Sequence, residues 1–307
     1  MTSRRIDAQE ISRILSVDFL GENVVINSLN LANRELNGNN LTYVGHKSYL
    51  KYLNQEEVVC AIISAEHYQE LNEINQSEIT LFIVDNPEKE FYKLHHHLCD
   101  KTDFYNYSLT SELTVGDNVD IHPASIIEDN VIIKNNVVIG ANVTIHSGSI
   151  IGNNVVINAG AVIGEQGFQV IYDKDKPYLV KHVGGVKIHD NVSIGANSTI
   201  AKSLFDGYTE IGHSSKIDNS VSIAHNCKVG KNCVITAGAI MTGSSTLDDG
   251  VWLAPNSVVL NRVNVGKESL VGALSLVTKD IEINTKCFGV PAVVKGETVS
   301  KLTNNNK

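Results

Sequence analysis

A hydrophobic residue recurs at every sixth position through most of this sequence, and so short a period leaves a chain few ways to fold. Val115, Ile121, Ile127, Ile133, Ile139, Ile145, Ile151, Ile157 and Ile163 follow without a slip. The period resumes at Ile188, Ile194 and Ile200, and again from Ile211 to Val277, giving 24 repeats in all. A small or β-branched residue usually sits four places after the aliphatic one, as at Val119, Ser125, Val131, Val137, Val143 and Ser149. A fixed short period means a solenoid, whose units bury their apolar faces by stacking on one another. Each repeat reads as a short flat strand and a tight turn. Three such faces close a triangular coil of 18 residues, so the repeats make about eight coils. At ~4.8 Å per coil the prism is roughly 38 Å long.

Two interruptions break the period. Glu165–Gly185, with Gly167, Phe168 and the run YDKDKPY, reads as an external loop, the kind of segment that carries function on a rigid scaffold. Ser203–Glu210 is subtler. The step from Ile200 to Ile211 is 11 residues, one short of two repeats, so the coil is expected to pinch there by one residue.

Residues 1–108 lack the period and alternate helical with strand-like patterns, so a small α/β domain is expected before the solenoid at 109–291. Val24–Leu31, Cys60–Ala65 and Ile79–Val84 read as strands. Ile6–Leu15, Lys47–Leu53 and Glu66–Ile74 read as helices, and Asp85-Asn86-Pro87 caps another that runs through Phe91 and Leu94. His95, His96 and His97 cannot converge on one ion, because adjacent helix positions point about 100° apart; a partly exposed helix face is expected. Residues 292–307 read as a polar tail.

The net charge of −9 argues against non-specific nucleic-acid binding. No apolar run suits a signal peptide or a membrane span. Five cysteines, Cys60, Cys99, Cys227, Cys233 and Cys287, match no zinc spacing and read as reduced thiols of a cytoplasmic protein.

The 18-residue coil also stacks chemistry. His225, Gly243 and Asn261 fall in one column, with Arg262 beside Asn261. His225 is expected to face outward and exposed, where an imidazole takes a proton near neutral pH. A glycine one coil away lets a substrate approach its backbone N–H. A base and an N–H donor about 5 Å apart suit acyl transfer: one removes a proton from an attacking amine, the other steadies the oxyanion. His122, His146, His182, His189 and His213 are expected to be solvated surface residues.

The runs VIGEQGF, KIHDNVSIGANSTI, TEIGHSSKIDNSVSIAHNCKVGKNC and AGAIMTGS resemble the UDP-3-O-acylglucosamine N-acyltransferases, hexapeptide-repeat enzymes of lipid A synthesis. The resemblance implies a left-handed parallel β-helix, although the general rule for parallel crossovers predicts the opposite hand. It implies His225 as general base, Gly243 N–H as oxyanion donor and Asp218 orienting the imidazole. Phe168, Asn226, Asn261 and Arg262 are then substrate contacts. The run LTYVGHKSYLKYL resembles the family's uridine-binding segment, with Tyr49 against the base and His46 where the family has an asparagine. A homotrimer is implied, with active sites between neighbours. No permanent cofactor and no metal is implied; acyl-CoA or acyl-carrier protein is the co-substrate.

The sequence departs from the family in places. Arg262 stands where a second histidine is expected, the IDRG run becomes Ile200-Ala201-Lys202-Ser203, and no C-terminal helices follow the repeats. These departures point to N-acylation of a UDP-linked amino sugar for surface polysaccharide such as O-antigen, using a short acyl thioester. The lipid A N-acyltransferase itself, fed by acyl-carrier protein, is the alternative, and a non-catalytic sugar-nucleotide-binding protein is another. A metal-dependent hydratase on the same scaffold needs two histidines five residues apart, a spacing the repeats lack.

Overall fold

The computed structural model describes residues 5–33, 36–73, 79–105, 112–173 and 176–297. The chain divides into two compact units. One comprises residues 1–107 and 169–183, the other residues 108–168 and 184–307.

The second unit is the solenoid. Its repeats lie on three parallel sheets, and each strand pairs with the strand one coil away, as Ile132↔Ile150, Val138↔Val156 and Ile126↔Thr144 show. The first face carries Val115, Ile133, Ile151, Ile188, Ile211, Val229, Leu247 and Val265. The second runs from Ile121 to Val271 and the third from Ile127 to Val277. The count is eight coils, with a partial ninth supplied by Thr285–Phe288 on the second face. Val293–Glu297 pairs antiparallel with that strand, so the tail expected from residue 292 begins as a strand. Residues 298–307 lie outside the described residues.

The aliphatic of each repeat points inward and is almost fully buried from Ile133 onward, while Val115 at the first coil is 44% exposed. Burying one such side chain stabilises by about 1.5–3 kcal/mol. Serines at the neighbouring inward position return their hydroxyls to backbone carbonyls, as Ser198 does to Asp218 O (2.7 Å) and Ser215 to Gly230 O (2.8 Å). A buried hydroxyl costs free energy unless so bonded; Ser149 Oγ is buried without such a partner among the described residues.

Most corners turn on a residue in the left-handed region three places after the aliphatic. Asn fills it at 118, 130, 136, 142, 154, 191, 197, 226, 232 and 256, Gly at 148, 160, 238 and 250, and Ser at 214, 220 and 244. Asn and Gly tolerate that conformation best. Arg262 (φ 62°), Glu268 and Leu274 adopt it too.

Both interruptions leave the stacking intact. Ile163 and Ile188 sit on successive faces, as do Ile200 and Ile211. The shorter step is therefore one repeat carrying five extra residues, and the expected pinch is instead a swelling. The extra residues fold back onto the coil, where Leu204 and Phe205 are buried.

The longer interruption forms a hairpin, Val170–Asp173 against Lys176–Leu179, which belongs to the first unit. That unit is built on a five-stranded sheet in the order Phe19–Leu20, Thr80–Ile83, Val58–Ile63, Asn40–Tyr43, Ser28–Leu29. All its pairings are parallel except the first. Helix α1 (Ala8–Leu15) precedes these strands, α2 (Ala65–Glu73) joins Val58–Ile63 to Thr80–Ile83, and α3 (Pro87–Lys101) follows the last of them. Val58–Ile63 is apolar throughout, as a parallel strand covered on both faces must be. Asn86 caps α3 by accepting from Lys89 N–H (3.0 Å).

Of the histidine run on α3, only His97 is partly exposed as expected. His95 and His96 are buried because the hairpin lies over them. His95 Nε2 bonds Lys181 O (2.8 Å) and its Nδ1 meets Tyr105 Oη (2.8 Å). His96 Nδ1 meets Tyr178 Oη (2.6 Å), and its Nε2 accepts from Lys181 N–H (3.2 Å). Lys181 also pairs with Asp100. His182, expected in solvent, is buried as well.

Candidate active site on the third face

Ser222–Ile223 delivers Ile223 into the core, Ala224 and His225 round the corner, and Asn226 turns it at φ 60°. The pairings Ile223↔Met241 and Met241↔Val259 put His225, Gly243 and Asn261 in the column the spacing predicts. The imidazole lies against the Gly243 backbone. A Cβ on residue 243 would stand 2.8 Å from Nε2 and 2.9 Å from Cε1, so only glycine leaves the ring its place. This close packing corrects the expected exposure: His225 is 8% exposed.

At some equivalent corners this N–H donates to an Asx side chain one coil on, as Asp117 N–H does to Asn135 Oδ1 (2.8 Å) and Lys231 N–H to Asp249 Oδ1 (2.7 Å). Here Asn261 Oδ1 instead accepts from Thr242 Oγ1 (3.0 Å). Among the described residues no acceptor takes the Gly243 N–H. An imidazole and an open amide on adjacent coils can serve a proton transfer and a developing oxyanion.

Residues 130–165 and 208–243 match the bacterial transferase hexapeptide (six repeats), and the second stretch contains both His225 and Gly243. Both stretches lie within the six-residue repeats of the solenoid. The solenoid is a left-handed parallel β-helix. The chain is similar to a UDP-3-O-acylglucosamine N-acyltransferase from Methylorubrum extorquens (strain PA1), 36% identical over 113 residues, 37% of this chain and 32% of that protein. It is also similar to a galactoside O-acetyltransferase from Lactococcus lactis subsp. lactis (strain IL1403), 31% identical over 120 residues, 39% of this chain and 58% of that one. The chain thus spans about a third of the length of the first of these relatives. Among solved structures, a UDP-N-acetylglucosamine acyltransferase from Bacteroides fragilis 9343 aligns with TM-score 0.53 at 26% identity, over 63% of this chain and 73% of that one. The Campylobacter jejuni UDP-N-acetylglucosamine acyltransferase gives the same TM-score at 24% identity, over 61% and 71%, and shares the fold.

Around the His225 column, the expected residues divide. Asp218 does not orient the imidazole. Its carboxylate accepts from Asn219 N–H (2.8 Å) and Ala237 N–H (3.1 Å), so it is a turn residue of the second face. The ring meets Asn226 instead, Nδ1 to Oδ1 at 3.0 Å. Asn226, expected at substrate, commits its amide within the chain: Oδ1 also accepts from Leu204 N–H (3.1 Å), and Nδ2 donates to Ser203 Oγ. Arg262 is exposed beside Asn261, with its N–H donating to Gly243 O (3.2 Å). Phe168 is 80% exposed where the solenoid breaks into the hairpin.

Sequence reasoning missed Ser203 and Leu204 as partners of the site, because the swelling that carries them was read as a contraction. It also missed a charged ladder on the same face. His146 Nδ1 meets Glu128 Oε1 (2.9 Å) and its Nε2 meets Glu165 Oε2 (3.2 Å). The 18-residue step from Glu128 to His146 was the available signal. Burial pushes the Glu128 carboxyl up, but the Ser147 N–H and His146 outweigh it and hold the group below its ordinary value. Lys202 lies one coil from His225 in the same direction, and burial holds its ammonium below the ordinary lysine value against the pull of Glu128 and Glu165.

In the first unit, His46 caps the 3-10 helix Lys47–Asn54 by accepting from Ser48 N–H at Nδ1 (3.2 Å). Tyr49 is half-buried, with its ring 6.1 Å from that of Tyr52. Among the described residues no group of three or more His, Cys, Asp or Glu is arranged to hold a metal ion, and no helix is long and apolar enough to cross a membrane.

Proposed function

We propose that this chain transfers an acyl group from a thioester to the amine of a UDP-linked amino sugar. The observation that carries the reading is the His225 ring packed on Gly243, whose N–H has no acceptor among the described residues. The names of the relatives, an N-acyltransferase of UDP-3-O-acylglucosamine and a galactoside O-acetyltransferase, support the reaction class. The amine nitrogen attacks the thioester carbonyl carbon while His225 takes its proton. The Gly243 N–H donates to the oxyanion of the tetrahedral intermediate. Collapse breaks the carbon–sulfur bond, and the imidazolium returns the proton to the departing thiolate, leaving an amide and a free thiol.

His46 and Tyr49 serve the nucleotide in this reading. With Nδ1 accepting from Ser48, the His46 Nε2–H is a donor suited to a uracil carbonyl, and the Tyr49 ring is a stacking surface. Arg262 supplies a cation one coil from Gly243 for a phosphate of either substrate. Phe168 and Asn261 border the substrate, and the protein acts in the cytoplasm as a homotrimer without a bound cofactor or metal.

The acceptor is a UDP-amino sugar of surface polysaccharide synthesis, with acyl-CoA as donor. The second reading, the lipid A N-acylation with acyl-carrier protein, is favoured by the names of the relatives. Purified protein assayed with a panel of UDP-amino sugars and each donor decides between them. His225→Ala should lose most turnover while staying folded, and wild-type turnover in that variant would remove His225 from the mechanism. A monomer in light scattering would undo the trimer.

A further inference from the structure

The five-residue swelling at Ser203–Gly207 is contiguous with the candidate base. Leu204 N–H can only donate, so the atom of the Asn226 amide facing it at 3.1 Å must be the oxygen. The other end of the amide donates to Ser203 Oγ, a side chain that is itself buried. Residue 226 is fixed further by its own N–H, which donates to the buried Thr209 Oγ1 at 2.8 Å. The Asn226 amide therefore has one orientation, and its oxygen presents a second lone pair to His225 Nδ1 at 3.0 Å. A bare Nδ1 there would set two lone pairs against each other in a buried place.

We infer that Asn226 and Ser203 are positioning residues that hold neutral His225 in the Nδ1–H tautomer, so that Nε2, the nitrogen packed on Gly243, is the one that takes the substrate proton. The inference rests on the acyl-transfer reading for its catalytic meaning, and on geometry alone for the tautomer. It gives the swelling a purpose: a coil of unbroken six-residue repeats has no Leu204 N–H or Ser203 hydroxyl to fix the amide. It also distinguishes Asn226 from the turn-forming asparagines at other corners, whose side chains bond along the stack, as Asn118 does to Asn136 (2.9 Å).

The test is the nitrogen-15 spectrum of the histidine-labelled full-length protein above pH 7.5, with His225→Gln assigning the signal. A protonated Nδ1 and a lone-pair Nε2 are expected in wild type, and a predominantly Nε2–H ring overturns the inference whether or not any acyl acceptor has been found. Asn226→Ala should lose the tautomer preference and lower kcat about 100-fold with little change in KM. Asn226→Asp keeps an acceptor for both N–H groups, so it should restore the Nδ1–H signal and much of the turnover. Its added negative charge should move the acid limb of the kcat/KM profile to higher pH, because a neighbouring anion favours imidazolium. Ser203→Ala should weaken the preference and cost about tenfold in kcat. Wild-type kcat in Asn226→Ala, or no pH shift in a folded Asn226→Asp, would also overturn it.

Discussion

Gly243→Ala tests the base and its distance from the chain in one substitution. The glycine φ lies outside the left-handed region, so alanine meets no backbone strain, and the amide N–H is kept. What changes is one methyl group, 2.8 Å from Nε2, 2.9 Å from Cε1 and 3.5 Å from Cδ2 of His225. An ordinary contact needs about 3.5 Å, so the ring edge must retreat by about 0.7 Å. Asn226 grips the opposite side of the ring at 3.0 Å, so the retreat stretches that hydrogen bond or rotates the ring away from the column. Misplacing a catalytic group by about 1 Å costs on the order of 100-fold. A loss of about 30- to 100-fold in kcat/KM is expected, about 2–3 kcal/mol of transition-state stabilisation. Overpacking costs about 1–3 kcal/mol of stability, so the variant should remain folded in a thermal melt. Steady-state kinetics with the best UDP-amino sugar and thioester donor provide the measurement. Wild-type kcat/KM in Gly243→Ala would refute the argument that the imidazole must occupy the space against this glycine.

Ile223→Asp places a charge on an inward position that is 1% exposed, and should lower the melting transition sharply or prevent folding of the solenoid. An unchanged melt would mean that the inward register is misread. Arg262→Asn replaces a residue held at φ 62° by one that tolerates it, and should stabilise by about 1 kcal/mol while raising the KM of an anionic substrate. His95, wholly buried, is pushed down to about 4 by desolvation from an ordinary 6.5. The unfolded chain then binds the extra proton first as pH falls. The stabilising contribution of neutral His95 is full above pH 6.5 and is lost as pH falls through about 4. Chemical denaturation across that window should show it, and His95→Gln, which keeps a donor for Lys181 O, should flatten the dependence.

The solenoid was legible because its physics is local and periodic. One aliphatic in six fixes the strand, the inward face and the 18-residue coil, and through the coil it fixes which residues stack. His225, Gly243 and Asn261 met as the period requires. The left-handed corner at every Asn or Gly follows the same period, yet it also holds Arg262, which composition alone does not announce. In the first unit, Cys60–Ala65 and the Asn86 cap could be read from patterning, whereas Asn40–Tyr43 was missed as a strand because its place in the sheet is set by neighbours distant in sequence.

Only the tertiary structure decided what departs from the period. The swelling at Ser203–Gly207 has no signal of its own, since 11 residues can be parsed as a short pair of repeats or as one long one, and only the pairing of Ile211 with Ile188 chooses. That choice brings Leu204 and Ser203 to Asn226, and so hands the imidazole to an amide rather than to Asp218. Burial of His95 and His96 likewise depends on a hairpin more than 70 residues away in the chain. Sequence determined the scaffold and the column on it, because repeats interact with their nearest neighbours. The state of the side chains in that column was left to folding, because hydrogen-bond partners are chosen by proximity in space.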